Sequence, residues 1–301
     1  MTSTTAEPTV ATTPRAKRQR GTSRWPARLV VAAIAGLWTI PTIGLLINSF
    51  RPAANIRQEG WWSVFPNVVT AANWTLDNYR SVFGASTGFS NAFINSVAVT
   101  IPAVVIPVTI AAFAAYAFAW MKFPGRTFLF IVVVALMVVP LQMALIPILK
   151  LYTTFEVTGT FPAVWLAHAG FGLPLAIYLL RNYMGSLPGA VIESAKIDGA
   201  DHFTIFRMLI VPLSVPVLAS FAIFQFLWVW NDYLVALVFL GTESSSQVLT
   251  VALANLVGNR GEGTLNVLPA AAFVVMAVPM VVFFALQRFF VRGLTAGSVK
   301  G

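Results

Sequence analysis

The amino-acid sequence predicts an all-α polytopic membrane protein with six transmembrane helices. Hydrophobic residues make up 58% of the 301 and charged residues only 10%, whereas about a quarter of a soluble domain is charged. Apolar stretches long enough to span a bilayer recur along the whole chain. The net charge of +9 does not indicate nucleic acid binding, because the basic residues lie at the ends of these stretches. With no cysteine and no cluster of metal-ligating residues, we expect no metal site.

The six predicted spans are separated by short polar connections. Residues 1–27 are rich in Thr, Ala and Pro and then basic, which predicts a disordered tail in front of a membrane domain over 28–301. The first apolar stretch is too long for the core of a signal peptide, so we expect a retained anchor. Prolines inside several spans predict kinks whose freed carbonyl groups are satisfied by neighbouring helices. The spans cover residues 29–50, 93–120, 128–149, 164–183, 213–240 and 267–290.

The distribution of Lys and Arg predicts the orientation. Fourteen of these residues fall on the side of the N-terminus and five on the other side, and the positive side of a membrane protein is cytoplasmic. Both termini are therefore expected inside the cell. The loops at about 51–92 and 241–266 are expected outside.

The two outer loops suggest different roles. Aromatic residues in the first are expected to anchor at the membrane interface; they are Trp61, Trp62, Trp74 and Tyr79. The tip of the second contains Asn259, Arg260 and Glu262 between glycines. It is either a flexible turn or a finger that touches an external partner, and the sequence favours neither.

A charged segment at 186–212 is predicted to form a helix–turn–helix on the cytoplasmic side. Ser186 and Pro188 predict a helix start, and an apolar face then recurs at three- and four-residue spacing. The residues of that face are Leu187, Val191, Ile192 and Ala195. Gly199 is expected to end this helix because glycine reaches the left-handed conformation cheaply.

A second helix is predicted to follow the turn. Asp201 is expected to cap it, Phe203, Phe206 and Leu209 share a face, and Pro212 is expected to open the next span. The segment is either an interfacial helix or a docking surface. Its acidic polar face favours docking to a protein, because interfacial helices prefer basic faces beside anionic lipids.

This segment resembles the "EAA" loop of ABC importer permeases. Glu193-Ser194-Ala195, three residues, Gly199, nine residues and then Leu209-Ile210-Val211-Pro212 match the family spacing, with conservative departures at Ser194, Leu209 and Val211. In that family the loop is the coupling helix, which sits in a cleft of the ATPase subunit. The resemblance assigns the coupling role to Glu193, Ser194, Ala195, Asp198, Gly199, Ala200 and Pro212.

Two more stretches resemble carbohydrate permeases of the maltose type. One is Trp230-Asn231-Asp232-Tyr233, and the other is the C-terminal tail at 291–301, in which Gly297, Ser298 and Lys300 would reach the ATPase interface. The resemblance implies a type I ABC importer permease fold in the bacterial inner membrane. It also implies a second homologous permease, an ATPase dimer that binds ATP and Mg²⁺, and an external sugar-binding protein. In the second outer loop, Asn259, Arg260 and Glu262 would contact the binding protein.

The remaining chemistry fits a transporter that is not itself an enzyme. The sequence contains no Gly-Lys pair and thus no phosphate-binding loop, so we expect this chain to bind no cofactor. Sugar hydroxyl groups require polar and aromatic partners, and the fifth span offers Gln225, Trp228, Trp230, Asn231 and Tyr233 as candidates for the substrate path. For the polar residues of the spans, Gln225 and Asn231 among them, interhelical hydrogen bonding is the alternative. We expect Asp232 to cap or pair near the outer boundary, with lining of the path as its alternative.

Two rival functions remain open at this point. An ion-coupled secondary sugar transporter needs ionisable residues inside the membrane, and the spans offer only Asp232 and His168, which we expect to be a neutral packing residue. A membrane scaffold that recruits a soluble partner is the other rival. The identity of the sugar also stays open among maltose, maltodextrins, trehalose and other glucosides.

Overall fold

The computed structural model describes residues 25–84, 87–258 and 264–296, and the regular elements in these ranges are helices. The chain divides into two compact units, Met1–Gly44 and Leu45–Gly301, and the packing described below is that of the second. Two short 3₁₀ segments, Trp61–Asn67 and Ala71–Asn73, lie between α2 and α3. The α-helices are α1 (Trp25–Ser49), α2 (Ala53–Gln58), α3 (Asp77–Val82), α4 (Phe89–Trp120), α5 (Arg126–Leu136), α6 (Leu141–Thr154), α7 (Phe161–Gly185), α8 (Gly189–Ile197), α9 (His202–Ile205), α10 (Val211–Trp230), α11 (Leu234–Leu240), α12 (Leu249–Gly258) and α13 (Val267–Ala296).

Five helices of the described chain are long and apolar enough to cross a membrane, and a bent pair can make a sixth span. The stretch 128–149, predicted as one continuous span, is instead divided into α5 and α6, which meet at 103°. Pro140 has no N–H, and the N–H groups of Met137, Val138 and Val139 each donate to a carbonyl three residues back. The α-helical ladder therefore ends here and restarts after the proline.

Several predicted boundaries also shift. Helix α1 begins at Trp25, inside the tail predicted for 1–27; residues 1–24 lie outside the described part of the chain. The predicted span 213–240 is two helices, because α10 ends at Trp230 and α11 starts at Leu234. The predicted tail at 291–301 is helical up to Ala296.

Small residues allow α4 and α7 to pack closely. Ala103, Ala111 and Ala115 of α4 and Ala176 of α7 have no exposed surface. In a bilayer, small side chains at a helix contact bring the backbones together and strengthen van der Waals packing. Helix α10 then packs against α4 and α7, and α13 packs against α10.

The carboxamide of Gln225 joins three helices at the centre of this bundle. Pro107 cannot donate to Ala103 O, four residues earlier in α4. The side chain of Gln225 in α10 donates to that oxygen at 3.2 Å and to His168 O of α7 at 3.3 Å. Gly172 makes room for it, since a Cβ there would lie 2.7 Å from Gln225 Oε1.

The indole of Trp165 serves a second proline of α4 in the same way. Pro102 leaves Ala98 O without its helical donor, and Trp165 Nε1 of α7 donates to Ala98 O at 3.1 Å. The sequence-based expectation that neighbouring helices satisfy freed carbonyl groups is confirmed at this position and at Ala103.

Helix α13 repeats the arrangement. Pro279 leaves Val275 O free, and Trp230 Nε1 of α10 donates to it at 3.0 Å. The Trp230 indole is buried, stacks on Phe226 and meets Phe93 edge-on. In a bilayer no water is available to replace such a donor.

Arg51 organises the first of the two loops that are predicted to lie outside. Its side chain is buried, with 1% of its surface exposed, and it donates to Asn55 O at 3.3 Å, Gly60 O at 3.1 Å and Ser63 Oγ at 3.0 Å. Glu59 is the partner carboxylate at 3.5 Å. One guanidinium therefore fixes the turn that connects the end of α1 to the 3₁₀ segment.

Asn78 fastens the same loop to the second one. Its Nδ2 donates to Ser49 O at 3.0 Å and to Arg51 O at 2.8 Å, and its Oδ1 accepts from Asn266 Nδ2 at 2.8 Å.

Two of the predicted interface anchors have partners inside the protein. Tyr79 OH bonds to Ser49 Oγ at 2.8 Å, and Trp74 Nε1 donates to Val68 O at 2.7 Å. Trp62 is exposed and Trp61 is half-buried, and their anchoring role stays a prediction.

The hydrogen bond from Trp230 to Val275 O should stabilise the protein only while Pro279 is present. Trp230→Phe keeps the aromatic ring but removes the donor to Val275 O, so it should lower the free energy of unfolding by about 0.5–2 kcal/mol. In a Pro279→Ala background the helix supplies its own N–H to Val275 O, and the same change should cost much less. Thermal unfolding in detergent of the four proteins of this double-mutant cycle measures the difference. Equal costs in both backgrounds would contradict the assignment.

Candidate functional site

The predicted coupling segment forms a short helix, α8, between α7 and the turn at Gly199. Its predicted start is wrong in detail: Ser186 Oγ donates to Tyr183 O at 2.7 Å and so belongs to the end of α7. Pro188 occupies the N-cap position of α8, without a side-chain hydrogen bond. A proline fits there because the first N–H groups of a helix have no partner in the helix.

Helix α8 has a narrow buried face. Ile192 is 2% exposed and packs in the cluster that contains Leu180 and Met184 of α7. Leu187 and Ala195 are partly buried against the same cluster. Val191, predicted for the apolar face, is 42% exposed, so α8 rests on the bundle through little more than one side chain.

The outer face of α8 is exposed and mixed in character. Glu193, Ser194, Lys196 and Asp198 are exposed, and Ile197 has 86% of its surface free. Docking of this face to a protein stays a prediction. These five residues are called the docking face below.

The glycine stop of α8 is confirmed. Gly199 has φ +82°, in the left-handed region that favours glycine. Its N–H donates to Lys196 O at 3.1 Å, and that of Ala200 donates to Ala195 O at 3.0 Å. This pair of bonds is a Schellman motif. No atom would meet a Cβ at Gly199 within 4 Å, so glycine is needed for its dihedral angles and not for space.

The cap after the turn is also confirmed. Asp201 Oδ1 accepts from the N–H of Thr204 at 2.8 Å. Hydrogen bonds from the side chain and backbone of Thr204 lower the pKa of the Asp201 carboxyl, and the nearby His202 adds a smaller electrostatic contribution. The carboxylate therefore stays charged at the start of α9, where the helix dipole favours a negative group.

The second predicted helix does not end before Pro212. His202–Trp230 runs as one helix, with a π-helical turn at Phe206–Ile210 in which Val211 N–H donates to Phe206 O. Pro212 follows this turn and lies inside the span instead of opening it. Phe206 is buried as predicted for the shared face, whereas Phe203 is 58% exposed.

The five residues predicted for the substrate path do not converge. Gln225 and Trp230 are buried and bonded to helix carbonyls, as described above. Trp228 is half-buried and meets the His168 ring edge-on at 5.2 Å. Asn231 is exposed, although its Nδ2 donates to Leu227 O at 2.7 Å, and Tyr233 is 43% exposed. The structure thus leaves Asn231 and Tyr233 accessible at the end of α10.

The capping role expected for Asp232 is confirmed, and it has a partner that the sequence did not reveal. Its carboxylate accepts from Val235 N at 3.3 Å and Ala236 N at 2.9 Å at the start of α11. Oδ2 lies 3.6 Å from Nε2 of His168, which is 1% exposed. These two residues are 64 positions apart in the sequence. The periodicity of a single helix cannot predict a contact between residues of different helices.

Two groups of predicted site residues lie outside the described part of the chain. These are Asn259, Arg260 and Glu262 of the second outer loop and Gly297, Ser298 and Lys300 of the tail. The roles that the resemblance implies for them stay predictions.

Comparison with known proteins identifies the family. The chain matches the binding-protein-dependent transport system inner membrane component over residues 107–296. It is 54% identical over 284 residues to the osmoprotective compounds uptake permease protein of Synechocystis sp., covering 93% of this chain and 95% of the relative. It is 56% identical over 261 residues to the alpha-glucoside transport system permease protein of Rhizobium meliloti, covering 84% and 68%. The trehalose transport system permease protein of Mycobacterium tuberculosis is 33% identical over 271 residues, with coverage of 89% and 94%.

A solved structure supports the fold. A chain of a bacterial ABC transporter involved in the import of alginate superimposes with a TM-score of 0.74 at 20% identity, covering 92% of this chain and all of that one. The all-α permease fold and the resemblance drawn from the sequence are thereby confirmed. This chain belongs to the binding-protein-dependent transport system inner membrane component family, the multi-pass permeases of ABC importers.

Proposed function

We propose that this permease forms half of the translocation pathway for a carbohydrate, a di- or oligosaccharide such as a glucoside. An external binding protein delivers the sugar, and ATP hydrolysis on partner subunits drives its import. ATP and Mg²⁺ bind to the ATPase dimer and not to this chain. Closure of that dimer moves α8 and switches the spans between inward- and outward-open states.

The docking face carries this proposal. Helix α8 is held to the bundle by Ile192 and presents Glu193, Lys196 and Ile197 outward. A protein cleft would bury Ile197 and pair the flanking charges, which a lipid surface cannot do for Glu193 beside anionic headgroups. The family spacing from Glu193 through Gly199 to Pro212 supports the ATPase subunit as the occupant.

The charge distribution supports an orientation with both termini in the cytoplasm. The docking face follows the C-terminal end of α7, and Lys122 and Arg126 follow the C-terminal end of α4. These two helix ends lie together, because Trp120 of α4 donates to Met184 O of α7. Excess basic charge at that end is the mark of the cytoplasmic side. The tail residues Gly297, Ser298 and Lys300 would then approach the ATPase dimer from the same side.

The elbow between α5 and α6 supports a second permease as partner. Val138 and Val139 at the elbow are 81% and 51% exposed, and an apolar groove lined by Val138, Pro140 and Met143 opens beside them. Irregular backbone at membrane depth occurs where protein or a water-filled cavity covers it, not against lipid. We therefore place this elbow against the homologous subunit and the pathway that the two share.

The relatives support carbohydrate as the cargo. The alpha-glucoside and trehalose permeases are 56% and 33% identical to this chain. The relative at 54% is named for osmoprotective compounds, so a substrate panel should include compounds of both kinds. On the outer side, Asn259, Arg260 and Glu262 are proposed to contact the binding protein.

Reversing one charge of the docking face should uncouple transport. Glu193→Lys is expected to lower uptake of radiolabelled maltose or trehalose about ten-fold or more in proteoliposomes that contain the whole complex and ATP, because the reversed charge can no longer form the pairing that the proposal gives to the carboxylate in the ATPase cleft. Lys150→Glu, a charge reversal at an exposed residue of α6 away from the docking face, is the matched control and should retain uptake. Undiminished uptake by Glu193→Lys would refute the coupling role.

The energy source can be tested in the same vesicles. Uptake is expected to require ATP and the ATPase subunits. Uptake driven by an imposed proton gradient without ATP would contradict the proposal and favour an ion-coupled transporter.

Cysteine labelling should report both the sidedness and the occupant of the docking face. The chain contains no cysteine, so a single introduced thiol is labelled without background. Ile197→Cys is expected to react with a membrane-impermeant maleimide only in inverted vesicles and to be protected when the ATPase subunits are bound. Val69→Cys, 97% exposed in the first outer loop, should react only in intact spheroplasts. The reverse pattern would overturn the orientation.

The elbow makes a separate prediction. A thiol in Val138→Cys should react with a maleimide when this chain is expressed alone and become protected or cross-linkable once the second permease is present. Val69→Cys is again the control, and its reactivity should not change. Equal labelling at Val138 in both samples would count against a subunit interface there.

A further inference from the structure

We propose that Tyr116 and Trp120 of α4 form a clamp that holds both ends of the segment 184–202, which contains α8, and transmits the movement of this segment to α4. The inference rests on the proposed function and adds the positioning residues through which α8 acts on the membrane helices. The clamp residues are one helical turn apart, and neighbours at this spacing lie on the same face of a helix.

Trp120 holds the start of the segment. Its Nε1 donates to Met184 O at 3.0 Å, in the last turn of α7. The Met184 side chain is fully buried and belongs to the cluster that also receives Ile192 of α8. Movement of the N-terminal end of α8 therefore displaces the Met184 carbonyl group, to which Trp120 of α4 is hydrogen-bonded.

Tyr116 holds the end of the segment. Its hydroxyl oxygen lies 2.9 Å from Nδ1 of His202, the first residue after the Asp201 cap. The Tyr116 side chain is 4% exposed, and its ring also packs against Phe206 at 5.4 Å. The bond joins a buried tyrosine to an exposed histidine, and breaking it would leave the Tyr116 hydroxyl without its partner among packed side chains, which is costly.

The part of the segment between these two bonds is only lightly attached. Ile192 is the buried side chain of α8, and Gly199 gives the turn its left-handed corner. A force on the docking face would tilt α8 about this contact if its ends were free. With both ends bonded to α4, the same force displaces α4 instead.

Helix α4 is built to carry such a displacement into the membrane. Prolines interrupt its ladder at Pro102 and Pro107, and interrupted ladders are where helices bend. The freed carbonyl groups there are bonded to Trp165 of α7 and Gln225 of α10. Movement at the clamp therefore reaches both neighbouring spans through hydrogen bonds.

The test measures sugar imported per ATP hydrolysed in the reconstituted complex with its ATPase and binding protein. Tyr116→Phe and Trp120→Phe keep aromatic rings but each removes one bond of the clamp. The ratio is expected to fall about two- to ten-fold in each, the factor that the loss of one hydrogen bond produces, while ATP hydrolysis continues. A purely structural role would change assembly and both rates together.

Histidine variants supply the rescue arm. Asn places an amide near the position of Nδ1, so His202→Asn should retain the wild-type ratio, whereas His202→Ala should lower it as Tyr116→Phe does. Tyr178→Phe is the matched control: the Tyr178 ring stacks on Phe130, and within the described residues its hydroxyl makes no hydrogen bond. Equal ratios for His202→Asn and His202→Ala would overturn the Tyr116 half of the clamp.

The outcomes separate this inference from the proposed function. If Glu193→Lys abolishes uptake while Tyr116→Phe and Trp120→Phe keep the wild-type ratio, the clamp is refuted and the docking face stands. If Glu193→Lys leaves uptake unchanged, the coupling role of α8 fails, and the clamp fails with it.

Discussion

The bundle depends on one constraint: a backbone carbonyl inside a bilayer must have a donor. Prolines remove that donor at Ala98, Ala103 and Val275, and each time a side chain of a neighbouring helix replaces it. The replacement fixes which residue of one helix lies opposite which residue of the next. Hydrophobic contact cannot supply this register, because lipid tails are as apolar as the helix surfaces. The prolines thus determine how these helices meet.

The same constraint explains how polar groups are divided between structure and transport. Gln225 and Trp230 are occupied by carbonyl groups, and His168 and Asp232 face one another. Buried groups with protein partners are poor candidates for contact with a passing sugar, whose hydroxyl groups would have to displace those partners. In the proposed assembly, the surfaces that stay accessible to a sugar are those at the end of α10 and at the α5–α6 elbow.

Sequence reasoning succeeded where local rules act and failed where contacts between helices decide. The stop at Gly199 and the caps at Asp201 and Asp232 follow from dihedral preference and short side chains, and the structure has all three. The break at Pro140 was predicted only as a kink, because hydropathy continues across it. For Gln225 the sequence left both interhelical hydrogen bonding and a place on the substrate path open, because a polar residue in a span has the same sequence signal whether it bonds a carbonyl or lines a path.

Gly172 has a consequence for how this chain can change over time. Because Gly172 has no side chain, the Gln225 carboxamide occupies the space beside its Cα, and a methyl group at position 172 would overlap Oε1. Alanine at 172 would displace the carboxamide and strip Ala103 O of its donor, whereas a shorter residue at 225 would leave a void beside the glycine. The residue tolerated at position 172 therefore depends on the residue at position 225, and the reverse holds as well. In related permeases we expect substitutions at these two positions, one in α7 and one in α10, to occur together.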